Sequence, residues 1–167
     1  MTVVTTTAGR WLLLAYRVPR EPSTPRIAIW RRLNRIGVAQ LGDGLVALPQ
    51  DARTQEQLEW VAEQVDEAGG RSTLWSAQAL SQAQERAVIA ELAAVRGVEY
   101  AAVVARVGSL TDAERVELAR GLRVARRELR AIERRDHFPP VEREQARQAV
   151  AELAARARAT DALVEQS

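Results

Sequence analysis

The chain has 167 residues, with 24 basic against 22 acidic side chains and no cysteine. This length predicts one domain, or a small domain with an appendage, and the lack of cysteine excludes disulfides and thiolate metal sites. His137 is the single histidine, so a histidine-based zinc site is not expected. No apolar run approaches the roughly 18 residues of a membrane-spanning helix. We therefore predict a cytoplasmic protein with no membrane partner, no metal and no cofactor.

All basic residues are arginines. A GC-rich coding bias would produce this composition without any selection for function. The chemical consequence is the same in either case, because a guanidinium group keeps its charge and binds carboxylates or phosphates bidentately.

The first elements follow from apolar patterning. Residues 1–9 are uncharged and rich in threonine, which predicts a disordered tail. Residues 10–18 form a short apolar run, which is typical of a central strand. Ser23 is the predicted N-cap of a helix that runs to about Ile36, with Gly37 as the residue that ends it.

This first helix has two contrasting faces. At 100° per residue, one face is apolar and is expected to pack on the sheet, with Trp30 buried. Its members are Ile29, Trp30, Leu33 and Ile36. The opposite face carries Arg31, Arg32 and Arg35.

Two further strands are predicted at residues 38–41 and 45–48. The intervening Gly42-Asp43-Gly44 is a hairpin signal, because glycine accepts positive φ. Thr54 and Gln57 fit a capping box that opens a second helix, and residues 71–77 form the fourth strand.

The resulting β-α-β-β-α-β order predicts an α+β fold, with a ferredoxin-like unit over residues 10–78. A helical appendage is predicted over residues 81–166, packed on the α/β unit as about three antiparallel helices. The first covers 82–108, with Gly97 as a kink.

The second helix of the appendage begins after a Thr111–Glu114 capping box. It carries an apolar seam at coiled-coil-like spacing, formed by Leu118, Leu122, Ala125, Leu129 and Ile132. Residues 137–140 break this helix, and a last helix follows to about residue 165.

The first candidate site is the arginine-rich segment 10–35, which has seven arginines against a single acid, Glu21. Such a local charge could meet phosphates or an oxyanion. The candidate ligands are Arg17, Arg20, Arg31, Arg32 and Arg35. The alternative is that these arginines pair with the acidic second helix and are structural.

The second candidate is an arginine stripe opposite the apolar seam, formed by Arg120, Arg123, Arg127, Arg130 and Arg134. We single out Arg123, Arg127 and Arg130 as candidate nucleic-acid or oxyanion ligands. The alternative is an ordinary solvated helix face. Aromatic residues are absent from the stripe, so single strands are not expected to stack there.

Trp60 lies on the charged side of the second helix. A tryptophan in such surroundings indicates an interface, either with the C-terminal helices of the same chain or in a homodimer.

Motifs of enzymes are lacking. The sequence contains no G-x-S-x-G, H-E-x-x-H, Walker or G-x-G-x-x-G motif. We therefore assign no catalytic residue and predict that the protein is not an enzyme.

Several segments resemble the N-terminal domain of the ChrB family of chromate-resistance proteins. They include the tryptophan, proline and arginine positions of residues 11–33, the Leu58-Glu59-Trp60 and Gly69-Gly70 segments, and Arg135-Asp136-His137-Phe138-Pro139. The resemblance implies transcriptional regulation that responds to chromate and controls a chromate efflux transporter. DNA and chromate, or another oxyanion, are the partners that it implies.

The α/β half also resembles the Cas2-like domain of the phenylacetate-pathway repressors, where it supports dimerisation, so we expect a homodimer. Metal-dependent Cas2 nucleases use an aspartate just after the first strand, where this chain has Pro19, Arg20 and Glu21. Three hypotheses follow: a regulator of chromate-resistance type, an oligomerisation module without DNA binding, and a degenerate Cas2-like nuclease.

Overall fold

The computed structural model describes residues 9–111 and 113–165. The predicted tail, apart from Gly9, lies outside these residues. The chain consists of two compact units. The first ends at Leu92 and the second begins at Ala93, so the boundary lies within the third helix.

The described residues form an α+β fold with one four-stranded antiparallel sheet and five helices. In chain order the elements are β1 (Trp11–Arg17), α1 (Ser23–Ile36), β2 (Ala39–Gly42), β3 (Leu45–Pro49), α2 (Ala52–Glu67), β4 (Arg71–Ala77), α3 (Gln82–Gly108), α4 (Arg115–Glu133) and α5 (Glu142–Glu165).

The sheet has the strand order β2-β3-β1-β4. β1 pairs with β3 on one side and β4 on the other, with Leu13 opposite both Ala47 and Trp75. The prediction that the first strand is interior is therefore confirmed. Within this apolar run Trp11, Leu12 and Leu14 are buried and Leu13, Ala15 and Tyr16 are partly buried, as is typical of an interior strand covered on at least one face.

One face of the sheet packs against α1 and α2. The buried side chains of this core are Leu12, Leu14, Ile29, Leu33, Ile36, Val46, Leu48, Leu58, Val61 and Val65. On the opposite face, Trp11 Nε1 donates a hydrogen bond of 2.9 Å to Glu85 Oε1 in the first turn of α3. Trp75, on the same face, remains 60% exposed.

Three predicted helix starts are wrong in detail. α1 begins after Pro22, and no side chain caps it, so Ser23 is the first helical residue. α2 is capped by Asp51, whose Oδ1 accepts from the Thr54 backbone N–H at 2.7 Å while Thr54 Oγ1 accepts from the Asp51 N–H at 3.0 Å. The helix starts earlier than predicted because this reciprocal pair satisfies its free amides from outside.

The start of α4 also differs from the prediction. The helix follows Glu114, whose side chain makes no capping hydrogen bond. The hydroxyl of Thr111 instead donates to the carbonyl oxygen of Gly108 at 2.7 Å, and this bond ties it to the end of α3.

The predicted burial of Trp30 is wrong, since its side chain is 60% exposed. Ile29, Leu33 and Ile36 form the buried face of α1. Trp30 lies about 100° further round the helix than Ile29, beyond the stripe that the sheet covers.

Truncating Trp30 to alanine is consequently expected to change the free energy of unfolding by no more than about 0.5 kcal/mol, as exposed substitutions do. Leu33→Ala, at a position only 2% exposed, should cost about 2–5 kcal/mol. Urea denaturation of the two variants tests this contrast. A loss above about 2 kcal/mol for Trp30→Ala would show that the ring is buried after all.

The second unit has a core of its own. All five residues of the predicted seam on α4 are buried, which confirms the phase of that helix. They pack with Tyr100, Val103 and Val107 of α3 and with Val150 and Leu153 of α5.

A polar network joins α3 to the segment after α4 within this unit. Glu99 lies between two guanidinium groups, with 3.0 Å to Arg96 NH1 and 3.0 Å to Arg135 NH2. The buried Tyr100 donates its hydroxyl to Asp136 Oδ2 at 2.7 Å. Burial and this hydrogen bond both raise the pKa of Tyr100, so its hydroxyl remains a donor at neutral pH.

Candidate arginine surfaces

An open cleft of about 820 Å³ lies where β1 ends, between α1 and the β2–β3 turn. Two guanidinium groups, two aromatic rings, apolar side chains, an amide and a carboxylate line it. The lining residues are Tyr16, Arg17, Val18, Arg26, Ile27, Trp30, Gln40, Asp43 and Gly44.

Gly44 fixes the hairpin against the floor of this cleft. It has a φ of +70°, and the Tyr16 N–H donates to its carbonyl oxygen at 2.7 Å. A Cβ at this position would collide with the backbone carbonyl oxygen of Tyr16. The predicted glycine turn is thus confirmed at Gly44, where both the positive φ and the close approach require glycine.

The arginines near the cleft form no ion pair with a carboxylate of the described residues. Within residues 9–111 and 113–165, Arg17, Arg20 and Arg26 make no ion pair or side-chain hydrogen bond. Over the same ranges, no ion pair joins an arginine of α1 to a carboxylate of α2. The structural pairing that was the alternative for this basic segment is therefore not what the structure shows.

A second concavity of about 630 Å³ follows the outer side of α1. Its lining includes Trp30, Arg31, Arg32, Arg35 and, from α2, Gln64. Arg31 and Arg35 are exposed.

Arg32 differs from its neighbours, because its guanidinium lies over the ring of Trp60 at 5.3 Å from the centroid. This cation–π contact within the first unit gives Trp60 one partner, and the ring is still 54% exposed. The role of Trp60 in an interface stays a prediction.

The arginine stripe of α4 faces solvent along its whole length, since Arg120, Arg123, Arg127, Arg130 and Arg134 are all exposed. Two of the three acids of α4 bind arginines of other helices. Glu128 pairs with Arg106 at 2.8 Å, and Glu133 pairs with Arg147 at 2.6 Å. Because these two carboxylates pair with arginines of other helices, they offset little of the positive charge of the stripe.

In the described part of the chain, no group of three or more histidine, cysteine, aspartate or glutamate side chains could hold a metal ion. No helix in that part is both long and apolar enough to cross a membrane.

Among the residues that line the cleft, the sequence predicted only Arg17 as a ligand. Arg26 was not among the candidate ligands, and Trp30 was assigned to the core. Arg26 and Trp30 are four residues apart on one helix, and such residues share a face, so this spacing was the available signal.

Comparison with known proteins gives a family. The family model described as "Protein ChrB, N-terminal" matches residues 26–166. No curated protein and no solved structure matches the chain. The match covers most of α1, the arginine stripe of α4 and most of the described chain, so this chain belongs to the family of ChrB N-terminal domains.

Proposed function

We propose that the protein is a non-enzymatic regulator of chromate-resistance type that binds DNA phosphates through the arginine stripe of α4. The family supplies the chromate-resistance context. The observation that carries the DNA-binding part is the exposure of all five stripe arginines on a helix whose Glu128 and Glu133 pair elsewhere.

The dimensions of the stripe suit a duplex. From Arg120 to Arg134 the helix rises by about 21 Å at 1.5 Å per residue, which matches roughly six phosphate intervals of 3.4 Å along one strand. An α-helix also fits the major groove, which is about 12 Å wide. Guanidinium groups at 3–4-residue spacing lie about 4.5–6 Å apart along the helix, so the five arginines can contact phosphates within this length without meeting each successive one.

The ferredoxin-like assignment of the first unit belongs to this proposal. The strand order β2-β3-β1-β4, with α1 and α2 packed on one face, supports it. The description of α3, α4 and α5 as a helical appendage is also part of this proposal.

An oligomerisation module is the second candidate function. The exposed Trp75 on the sheet face away from α1 and α2 favours it, because large exposed aromatic side chains often mark protein contacts. A homodimer is compatible with both candidates, and DNA binding separates them.

The third hypothesis is a degenerate Cas2-like nuclease. A nuclease assay with Mg²⁺ tests it, and we expect no cleavage.

Matched triple variants test the proposal. Replacing Arg123, Arg127 and Arg130 with glutamine should weaken binding to a mixed-sequence DNA duplex by at least about tenfold at low salt, because three phosphate contacts are lost. Exposed substitutions of this kind should leave stability within about 0.5 kcal/mol per site. Fluorescence anisotropy and urea denaturation measure the two quantities.

The control variant removes the same charge from α1, by replacing Arg31, Arg32 and Arg35 with glutamine. It should bind DNA nearly as the unmodified chain does. If the α1 variant loses affinity and the α4 variant does not, the DNA surface is α1. If neither variant changes binding, the oligomerisation module becomes the better account.

A further inference from the structure

The cleft beside Trp30 contains aromatic and apolar side chains that an inorganic oxyanion would not use. A tetrahedral ion is satisfied by guanidinium groups alone. Here Arg17 and Arg26 share the cleft with the exposed ring of Trp30 and with the apolar side chains of Val18 and Ile27. A ligand that uses the whole lining needs an anionic group and a planar apolar part.

Asp43 narrows the ligand class further. It lines the same cleft, and no ion pair joins it to Arg17 or Arg26 among the described residues. A carboxylate accepts hydrogen bonds, so a ligand that contacts Asp43 directly needs hydroxyl or amino donors. A simple aromatic carboxylate has an anion and a ring but lacks these donors.

We propose that this cleft binds a nucleoside 5′-monophosphate, with the phosphate on Arg17 and Arg26, the base against Trp30, and ribose or base donors on Asp43. The volume of about 820 Å³ lies within the usual range of ligand pockets. Stacking on an aromatic ring is available to every base, so the cleft need not select one base strongly.

The cleft is built on rigid elements. Arg17 ends the interior strand β1, and Arg26 and Trp30 lie on α1 beside the face that Ile29, Leu33 and Ile36 anchor in the core. Gly44 holds the turn that carries Asp43 against the backbone of Tyr16. Such placement fixes the backbone positions of the recognition residues without a ligand.

This site is separate from the arginine stripe of α4, so the two proposals stand or fall independently. The variant lacking Arg123, Arg127 and Arg130 should bind the nucleotide as the unmodified chain does. Loss of DNA binding with retained nucleotide binding would distinguish them.

Isothermal titration calorimetry of the full chain tests the site with adenosine 5′-monophosphate, adenosine and inorganic phosphate as probes. The nucleotide should bind at least about tenfold more tightly than either of its two parts, since only it meets both the arginines and Trp30. Replacing Arg17 and Arg26 with glutamine should weaken nucleotide binding by at least about tenfold and leave adenosine binding unchanged.

Trp30→Ala should weaken nucleotide binding about tenfold, as expected from a lost base–aromatic stack, without affecting phosphate binding. The matched control replaces Arg31 and Arg35 with glutamine, which removes the same charge from α1 outside this cleft. Its affinity for the nucleotide should stay within about twofold of the unmodified value.

Four results would overturn the proposal. The first is the absence of nucleotide binding at about 1 mM ligand. The second is equal affinity for the nucleotide and inorganic phosphate, which would make the cleft an oxyanion site only. The third is equal loss in the Arg17/Arg26 variant and its control, which would reduce the effect to general charge. A 5′-phosphorylated hexanucleotide that binds at least about tenfold more tightly than the mononucleotide would assign the site to a strand end and contradict a free nucleotide.

Discussion

Replacing Glu99 with alanine is expected to lower the free energy of unfolding of the helical unit by about 3–5 kcal/mol. Glu99 is the carboxylate between Arg96 and Arg135, at 3.0 Å from each. Arg96 is only 8% exposed, and burial lowers the pKa of its guanidinium while Glu99 opposes that shift. Without Glu99, a buried positive charge would lose its nearest counter-ion.

Chemical denaturation of the full chain, followed by circular dichroism, measures this loss. Glu144→Ala is the control, because Glu144 is exposed and lies 3.9 Å from Arg147; its effect should remain within about 0.5 kcal/mol. A double variant, Arg96→Met with Glu99→Leu, should recover much of the stability, since it removes the buried charge of Arg96 together with its counter-ion. Equal effects of Glu99→Ala and Glu144→Ala would contradict the account of the network.

Gly44→Ala is the second change with a large expected effect, about 2–5 kcal/mol of destabilisation. Two costs combine at this position. A non-glycine residue at positive φ costs about 1–2 kcal/mol, and the new Cβ would collide with the Tyr16 carbonyl oxygen, which adds about 1–3 kcal/mol for forced overpacking. The neighbour is backbone, so no change of rotamer relieves the collision.

Gly69→Ala separates the two costs. Gly69 has a φ of +75°, yet a Cβ there would meet nothing within 4 Å, so only the conformational cost of about 1–2 kcal/mol applies. The difference between the two variants in urea midpoint measures the collision. If Gly44→Ala is no more destabilising than Gly69→Ala, the hairpin does not rest on β1 as described.

The sequence was sufficient where one periodicity decides the outcome. The unbroken apolar run of β1 predicted an interior strand, and pairing with β3 and β4 confirms it. The seam and the arginine stripe of α4 were predicted because both lie on one helix, whose 3.6-residue period fixes which side chains share a face. The burial of the seam and the exposure of the stripe agree with that phase.

The sequence was insufficient where tertiary geometry decides between neighbours. A helix buries only one stripe of its surface, and the sequence does not show which of the neighbours Ile29 and Trp30 lies within that stripe. The sheet covers Ile29 and leaves Trp30 exposed. At the start of α2 the cap is Asp51 and not the predicted Thr54, because each of these two residues donates its backbone N–H to the side chain of the other.

The residues of the candidate cleft were harder still to predict from the sequence, because tertiary packing brings them together. Arg17, Arg26 and Asp43 are far apart in the chain, on a strand, a helix and a turn, and only the packing of α1 and the hairpin brings them to one cavity. No spacing rule within a single element relates such positions, so the sequence predicted Arg17 as a ligand and did not predict Arg26 or Asp43.

The salt dependence of DNA binding is the most direct test of the proposed regulator. Anisotropy titrations with a labelled mixed-sequence duplex at several salt concentrations give the slope of log affinity against log salt. The slope should be steep for the unmodified chain, and replacing Arg123, Arg127 and Arg130 with glutamine should reduce its magnitude by roughly 2.7, at 0.9 for each of three lost phosphate contacts. An unchanged slope in the variant, or no binding by the unmodified chain at low salt, would contradict DNA binding through the arginine stripe of α4.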